Sequence, residues 1–315
     1  MHILVLAGGL SPERDVSIRS GRRVADALRS TRPEFSVEES DVDATLLTRL
    51  ANDRPDCVLL ELHGAAGEDG SIRDVLDALH IPFVGASAEA SRIAFEKPVA
   101  SALLAQAGVH VPTSMSLPHA TFRELGAAAV MDAIVAKLGL PIIVKPSKGG
   151  SALGASVVRE ASELPAAMVG AFAYGEVAFV EQFIAGTEIA VGVLDTADVI
   201  ALPAVEIVPD GGFYDYQARY TAGSTEFFVP ARLEAATLTA AADVALTAHR
   251  SLRLRDWSRS DLIVDRDGCV WFLEVNVAPG MTETSLYPQA LAAAGLDVGS
   301  VTATLVDAAI SRSGR

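Results

Sequence analysis

Trp257-Ser-Arg259-Ser-Asp261-Leu-Ile-Val-Asp265-Arg-Asp267-Gly268-Cys269-Val-Trp-Phe-Leu-Glu274-Val-Asn276-Val-Ala-Pro-Gly280 is the stretch whose reading decides the fold. Two apolar, β-rich runs flank Asp267-Gly268, the strongest short hairpin signal. With those two residues at the turn centre, Asp261 faces Glu274 and Arg259 faces Asn276. Residues two apart on a strand share a face, so all four side chains meet on one side of the hairpin. Directly opposed side chains lie roughly 5 Å apart at Cβ. Two carboxylates that close repel unless a cation sits between them. An all-oxygen set with one amide favours Mg²⁺ or Mn²⁺ over zinc. A magnesium site with so few protein ligands needs substrate phosphates to complete it, which points to a nucleotide. The competing reading is a solvated edge hairpin. The apolar flanks and Arg259 weigh against it, although a one-residue slip would undo the argument.

Working outward, a phosphate-binding loop is the next requirement. Neither G-x-x-x-x-G-K-[ST] nor G-x-G-x-x-G occurs, so a P-loop and a dinucleotide fingerprint are both excluded. Lys145-Pro-Ser-Lys-Gly149-Gly150-Ser151-Ala-Leu-Gly154 lies between two predicted strands instead. Its glycines permit close backbone approach, and their N–H groups can cradle phosphate oxygens. A Gly-rich hairpin alone is usually a turn; the acidic hairpin downstream gives this one its meaning. Lys97, taken by itself, reads as a surface residue.

Toward the N-terminus the texture is that of a parallel sheet. Short apolar runs at Ile3–Ala7, Cys57–Leu62 and Pro82–Gly85 read as strands, with helical patterns at 16–28 and 72–79 between them. Gly8-Gly9 and His63-Gly64 fall at carboxyl ends of strands, where such sheets bind ligands. From residue 97 the pattern becomes α+β: helices over 97–107 and 123–138, strands at 142–145, 155–158 and 177–183, and a helix near 162–173. After a strand near Glu188 come a long loop over 209–230, a helix over 235–252, the hairpin, and two terminal helices. Three units follow: 1–96, 97–186 and 187–315.

The 315 residues carry 25 basic and 40 acidic side chains, a net charge of −15. That excludes a diffuse nucleic-acid surface, which needs a basic field. An anionic substrate remains compatible with a few cations gathered in one cleft. Cys57 and Cys269 form no C-x-x-C pair and read as free thiols in a reducing compartment. The apolar N-terminus lacks a basic lead-in and reads as a strand, not a signal peptide. The uncharged stretch 98–122 is broken by prolines and polar residues, so no membrane span is expected.

Together these pieces resemble the ATP-grasp superfamily and, within it, the D-alanine–D-alanine ligases. The resemblance covers nearly the whole chain. It rests on Gly8-Gly-Leu-Ser-Pro-Glu13-Arg-Asp-Val-Ser17, His63-Gly-Ala-Ala-Gly-Glu-Asp-Gly70, Lys145-Pro-Ser147 with Gly150-Ser151, Phe213-Tyr-Asp-Tyr216, Arg219-Tyr220, and Leu273–Thr282 followed by Ser285-Leu286. It implies an ATP-grasp fold in which an N-terminal doubly wound parallel-sheet subdomain precedes two α+β subdomains that clamp ATP. It also implies a cytoplasmic, homodimeric enzyme that joins two D-alanines through an acyl phosphate for peptidoglycan precursors. Lys97 and Lys145 would bind phosphates, Glu181, Gln182 and Ile184 would line the adenine pocket, and Glu188 would hold the ribose. Asp261, Glu274 and Asn276 would hold two Mg²⁺ or Mn²⁺ ions. Glu13, near His63, would bind the first D-alanine's ammonium, while Ser151 and Tyr220 bond to Glu13 and close the site. Ser285 and the Leu286 N–H would bind the second carboxylate. Arg259 and the Gly280 N–H would hold the oxyanion.

Arg219 stands where the family commonly has Lys, Gln182 where Lys is frequent, and Gly149 and Ala152 where Glu and Ser are usual. Two alternatives therefore stay open: a sibling ligase for another amino acid, and a nucleotide-binding homologue without catalysis. The intact acidic hairpin argues against the second.

Overall fold

Every residue of Ile3–Leu6 and Cys57–Leu60 is buried, as continuous apolar runs require of strands covered on both faces. They lie in β1 (His2–Leu6) and β3 (Cys57–Leu60), which with β2 (Ser36–Ser40) form a parallel sheet of order β2-β1-β3. Helix α1 (Arg14–Thr31) buries Ser17, Ser20, Gly21, Val24, Ala25 and Leu28, one stripe at helical spacing. The computed structural model describes residues 1–221 and 223–313, without the side chains of Ala66, Gln217 and Tyr220. The strand expected at Pro82–Gly85 is only a bridge between Val58 and Phe83. Pro82 has no N–H to donate, and Gly85, at φ +109°, turns the chain away. The mostly exposed edge strand β2 gave no apolar alternation to read.

The second sheet is antiparallel, of order β4-β7-β5-β6, from β4 (Ser114–Pro118), β5 (Ile142–Pro146), β6 (Ser156–Val158) and β7 (Val177–Gln182). Ile134, Leu138, Ile142, Val144, Leu164 and Val180 form its core. The single helix expected over 123–138 is two, His119–Leu125 and Ala127–Leu138, because Gly126 takes a left-handed φ between them.

The third sheet holds β8 (Gly186–Asp195), β9 (Val199–Ala201), β10 (Val205–Pro209), β11 (Thr225–Phe228), β12 (Trp257–Asp265) and β13 (Val270–Asn276). Its order is β11-β10-β8-β12-β13, with β9 beside β8. Alternate residues of β8 enter different cores. Ile189, Val191 and Val193 pack with Ala241, Ala245 and Ala248 of helix Ala235–Ser251, whereas Ala190 and Leu194 join the core shared with β1, α1 and the terminal helices. The hairpin is thereby held against the N-terminal layer. The loop expected over 209–230 contains a short helix, Tyr216–Tyr220, and the edge strand β11. Among the described residues, no single helix is long and apolar enough to cross a membrane.

The β12–β13 register corrects the turn but keeps the site. Gly268, at φ +80°, closes a three-residue turn in which Gly268 N–H donates to Asp265 O and Asp265 N–H to Cys269 O, each at 3.0 Å. Leu262 therefore faces Phe272, one residue off the expected pairing. A register shift between Asp261 and Leu262 takes up the difference, so Asp261 faces Glu274 and Arg259 faces Asn276. A bulge of this kind re-aims side chains next to a site.

Candidate active site

The second and third sheets enclose a cleft of about 420 Å³. Lys97, Lys145, Gly149 and Gly150 line one part of its wall, Glu181, Gln182, Ile184 and Glu188 another, and Asp261 and Glu274 the hairpin side. A pocket of about 80 Å³ adjoins it, lined by Glu13, His63, Glu68, Ser151, Arg259, Asn276 and Gly280 among others. Lys97, Gly149, Gly150, Arg219 and Glu274 border both cavities. Glu274 thus sits where the larger cavity meets the smaller one, with Asp261 on the wall of the larger.

Each acid of the hairpin has a cation. Arg259 grips Asp261 through Nε and Nη2 at 2.7 and 2.8 Å, an i,i+2 pair on one face of β12. Burial opposes the Arg259 charge, but Asp261 outweighs it and raises its pKa. Glu274 Oε2 lies 3.2 Å from Lys97 Nζ, which also donates to Gly149 O at 2.5 Å. Burial alone would lift Glu274. Lys97, Lys145 and Arg219 reverse that and hold it at about 2. Lys145 Nζ sits 2.5 Å from Glu181 Oε2. Burial disfavours this ammonium, yet Glu181, Glu274 and Asp261 keep its pKa above the ordinary lysine value. Burial also raises the pKa of Glu181, the more enclosed partner, and pushes Glu188 up to about 7. The guanidinium carbon of Arg219 stands 4.3 Å from the Tyr214 ring centre, and its Nε donates to Tyr214 O at 3.2 Å.

Beside these charges, the smaller pocket holds hydroxyl, imidazole and carboxyl groups from Ser151, His63, Glu13 and Glu68. Ser151 Oγ donates to Glu13 Oε1, and burial raises the Glu13 pKa. Glu68 accepts the Gly64 N–H at 2.9 Å and is pushed up to about 8 by burial. Burial holds His63 down at about 4, so its ring is neutral. Its Nδ1 lies 3.1 Å from Ala278 O. A carbonyl only accepts, so the proton is on Nδ1 and Nε2 is the acceptor. A Cβ on Gly280 would meet Ser285 Oγ at 2.9 Å, so a side chain there would have to displace that hydroxyl. Ser285 Oγ accepts the Thr282 N–H at 3.0 Å.

Of the sequence-predicted residues, Lys97, Lys145, Glu181, Ile184, Glu188, Arg219, Asp261 and Glu274 line the cleft. The Gln182 side chain turns away, donating to Leu138 O at 3.1 Å. Glu13, His63, Ser151, Arg259, Asn276 and Gly280 line the small pocket. Ser285 lies behind Gly280 and precedes the helix Leu286–Ala293; the Leu286 side chain is in the core, which leaves its N–H at the helix start. The Tyr220 side chain is outside the described residues. Tyr214, beneath Arg219, and the buried Glu68 join the site without a role legible in the sequence. A lone aromatic or acid in a motif carries no signal of what it packs against.

Asp261, Glu274 and Asn276 form an all-oxygen set, and both acids border the cleft. This fits a hard divalent cation. Asn276 Oδ1 accepts the Ala278 N–H at 2.7 Å and keeps a second lone pair.

The three sheets and the cleft between the second and third define an ATP-grasp protein. The family model described as the D-ala D-ala ligase C-terminus matches residues 103–307. The D-alanine–D-alanine ligase of Gloeobacter violaceus is 40% identical over 308 residues, covering 98% of this chain and 99% of the relative. Among solved structures, the Bacillus anthracis D-alanine–D-alanine ligase complexed with ATP is 27% identical, with a TM-score of 0.82 and coverage of 100% of this chain and 98% of that one. The VanG D-Ala:D-Ser ligase of Enterococcus faecalis matches with the same TM-score, 0.82, at 27% identity over 97% of this chain and 98% of its own. The chain belongs to the D-alanine–D-alanine ligase family.

Proposed function

We propose that this protein uses ATP to join two D-alanines through an acyl phosphate, supplying the dipeptide for peptidoglycan precursors in the cytoplasm, and that it works as a homodimer of three-part subunits divided near residues 96 and 186. The observation that carries this reading is the shared wall. Lys97, Gly149, Gly150, Arg219 and Glu274 border both the large cleft and the small pocket, so a γ-phosphoryl group and a small carboxylate would meet there. Adenine lies along Glu181–Ile184 and ribose by Glu188. Asp261, Glu274 and Asn276 hold two Mg²⁺ or Mn²⁺ ions, which when bound neutralise the triphosphate.

Glu13 receives the first ammonium, with Ser151 and Tyr220 closing over it. The first carboxylate oxygen attacks the γ-phosphorus, and the bond to the β-phosphate oxygen breaks to release ADP. Lys97, Lys145 and Arg219 supply the fixed positive charge on which such transfer depends. The second amine, its carboxylate on Ser285 and the Leu286 N–H, attacks the acyl carbon. Arg259 and the Gly280 N–H hold the oxyanion. The carbon–oxygen bond to phosphate then breaks, and the nitrogen loses a proton. Closure over the site keeps water from the acyl phosphate.

Incubation with ATP, Mg²⁺ and a panel of D- and L-amino acids tests this. One phosphate released per D-alanyl-D-alanine, with D-alanine alone sufficient, is the expected result. The likeness to a D-Ala:D-Ser ligase favours one second reading, a different acceptor. A mixed dipeptide formed in preference to D-alanyl-D-alanine would establish it. Nucleotide binding without turnover of any panel member would overturn both.

A further inference from the structure

α1 touches the Gly280–Ser285 loop at two points one helical turn apart. Ser20 Oγ accepts the Met281 N–H at 3.0 Å and lies 3.3 Å from His63 Nε2. Because the His63 proton is on Nδ1, the Ser20 hydroxyl donates to Nε2 while accepting from Met281. One buried hydroxyl therefore fixes both the His63 ring and the Gly280–Met281 peptide. Three residues on, Arg23 Nη1 donates to Met281 O at 3.0 Å and to Thr282 O at 2.5 Å. Peptide units are planar and rigid, so pinning these carbonyls sets the planes on either side of Thr282. That leaves the Thr282 N–H on Ser285 Oγ at 3.0 Å, just before the Leu286 N–H at the helix start.

We infer that Ser20 and Arg23 are positioning residues for the acceptor amino acid: α1 splints the loop whose Gly280, Ser285 and Leu286 receive it. Neither borders the small pocket, so both act through the loop. The inference rests on the ligase reading. Its test is steady-state kinetics, with separate constants for ATP and for the donor and acceptor D-alanines, together with hydrogen exchange of the Met281–Leu286 amides. Loss of a charged donor from two carbonyls is expected in Arg23→Met to raise the acceptor KM about tenfold, with the ATP and donor constants within about twofold. Arg23→Lys, which keeps the charge without the fork, falls between. Exchange in Arg23→Met should quicken at Met281–Leu286 while β1 and β3 stay protected. Ser20→Ala should reproduce the local exchange change. An unchanged acceptor constant, or a parallel rise in all three, overturns the inference. A wild-type protein that makes no dipeptide overturns the ligase reading instead, and exchange then decides: undisturbed protection of the loop in Arg23→Met removes the splint.

Discussion

Two groups of acids, one on the hairpin and one in the N-terminal layer, behave in opposite ways. On the hairpin side, Glu274 and Asp261 each meet a cation, Lys97 or Arg259, and Glu274 stays ionised with a pKa of about 2. On the N-terminal side, Glu61 and Glu68 have no ion pair among the described residues, and burial pushes each up to about 8. Burial works against the charge in both groups, Glu274 being partly buried and Glu61 and Glu68 almost wholly so, and it does not explain why Glu274 moves the opposite way. The local cations do. The cation-rich hairpin side suits phosphates and metal ions; on the N-terminal side Glu61 and Glu68 add no competing charge to that of Glu13.

Removing charge from the first half is the sharpest way to break this contrast. Under the proposed function, Glu274→Gln should cost on the order of a thousandfold in ligation, through loss of the proposed metal ligand and of fixed charge at phosphoryl transfer. Circular dichroism should show an unchanged fold. A fully active variant would remove Glu274 from the site.

Next in size is a stability effect in the second half. Glu61 is 1% exposed and its Oε1 has no hydrogen-bond partner among the described residues. The native carboxyl keeps its proton up to a pH of about 8, whereas the unfolded one releases it near 4.5. Its contribution is therefore fully present below that lower value and is lost as pH rises through the upper one, at about 1.4 kcal/mol per pH unit. Glu61→Gln should match wild type at pH 4 and exceed it by a few kcal/mol at pH 8. Denaturant unfolding at both values measures the difference, and a pH-independent gap would contradict a protonated Glu61.

Smaller again is Ser151→Ala, which deletes the hydroxyl bonded to Glu13. A bond to a charged group of this kind is worth about tenfold in the donor D-alanine KM. The ATP constant should hold, and equal changes in both would deny a role specific to the small pocket. Arg219→Lys, which keeps the charge but loses the stack on Tyr214, should lower turnover only by about threefold. A loss as large as that of Glu274→Gln would show the fork itself to be indispensable.

Legibility from sequence followed periodicity. The apolar runs of β1, β3 and β12 were readable because burial on both faces leaves no polar positions. The polar edge strand β2 and the strand β4 were not, since an edge pairs through its backbone and asks little of its side chains. The hairpin is the instructive case. The expected two-residue turn is a three-residue turn, and a register shift beyond Leu262 compensates, so the pairing of Asp261 with Glu274 stood although the turn did not. Lys97 read as surface, yet lies 3.2 Å from Glu274 in a buried cleft; nothing near it in the chain hints at a partner so distant in sequence.

By itself the sequence determined which residues recur on one face of a hairpin, that a glycine loop carries a lysine, and which motifs are shared with the family. Those are short-range facts, set by residue type and by the twofold period of a strand. Only the tertiary structure decided which acids carry charge, which tautomer His63 holds, and that α1 grips the Met281–Thr282 backbone. Each depends on groups brought together from remote parts of the chain, and electrostatic and hydrogen-bond energies follow distance in space, not separation along the backbone.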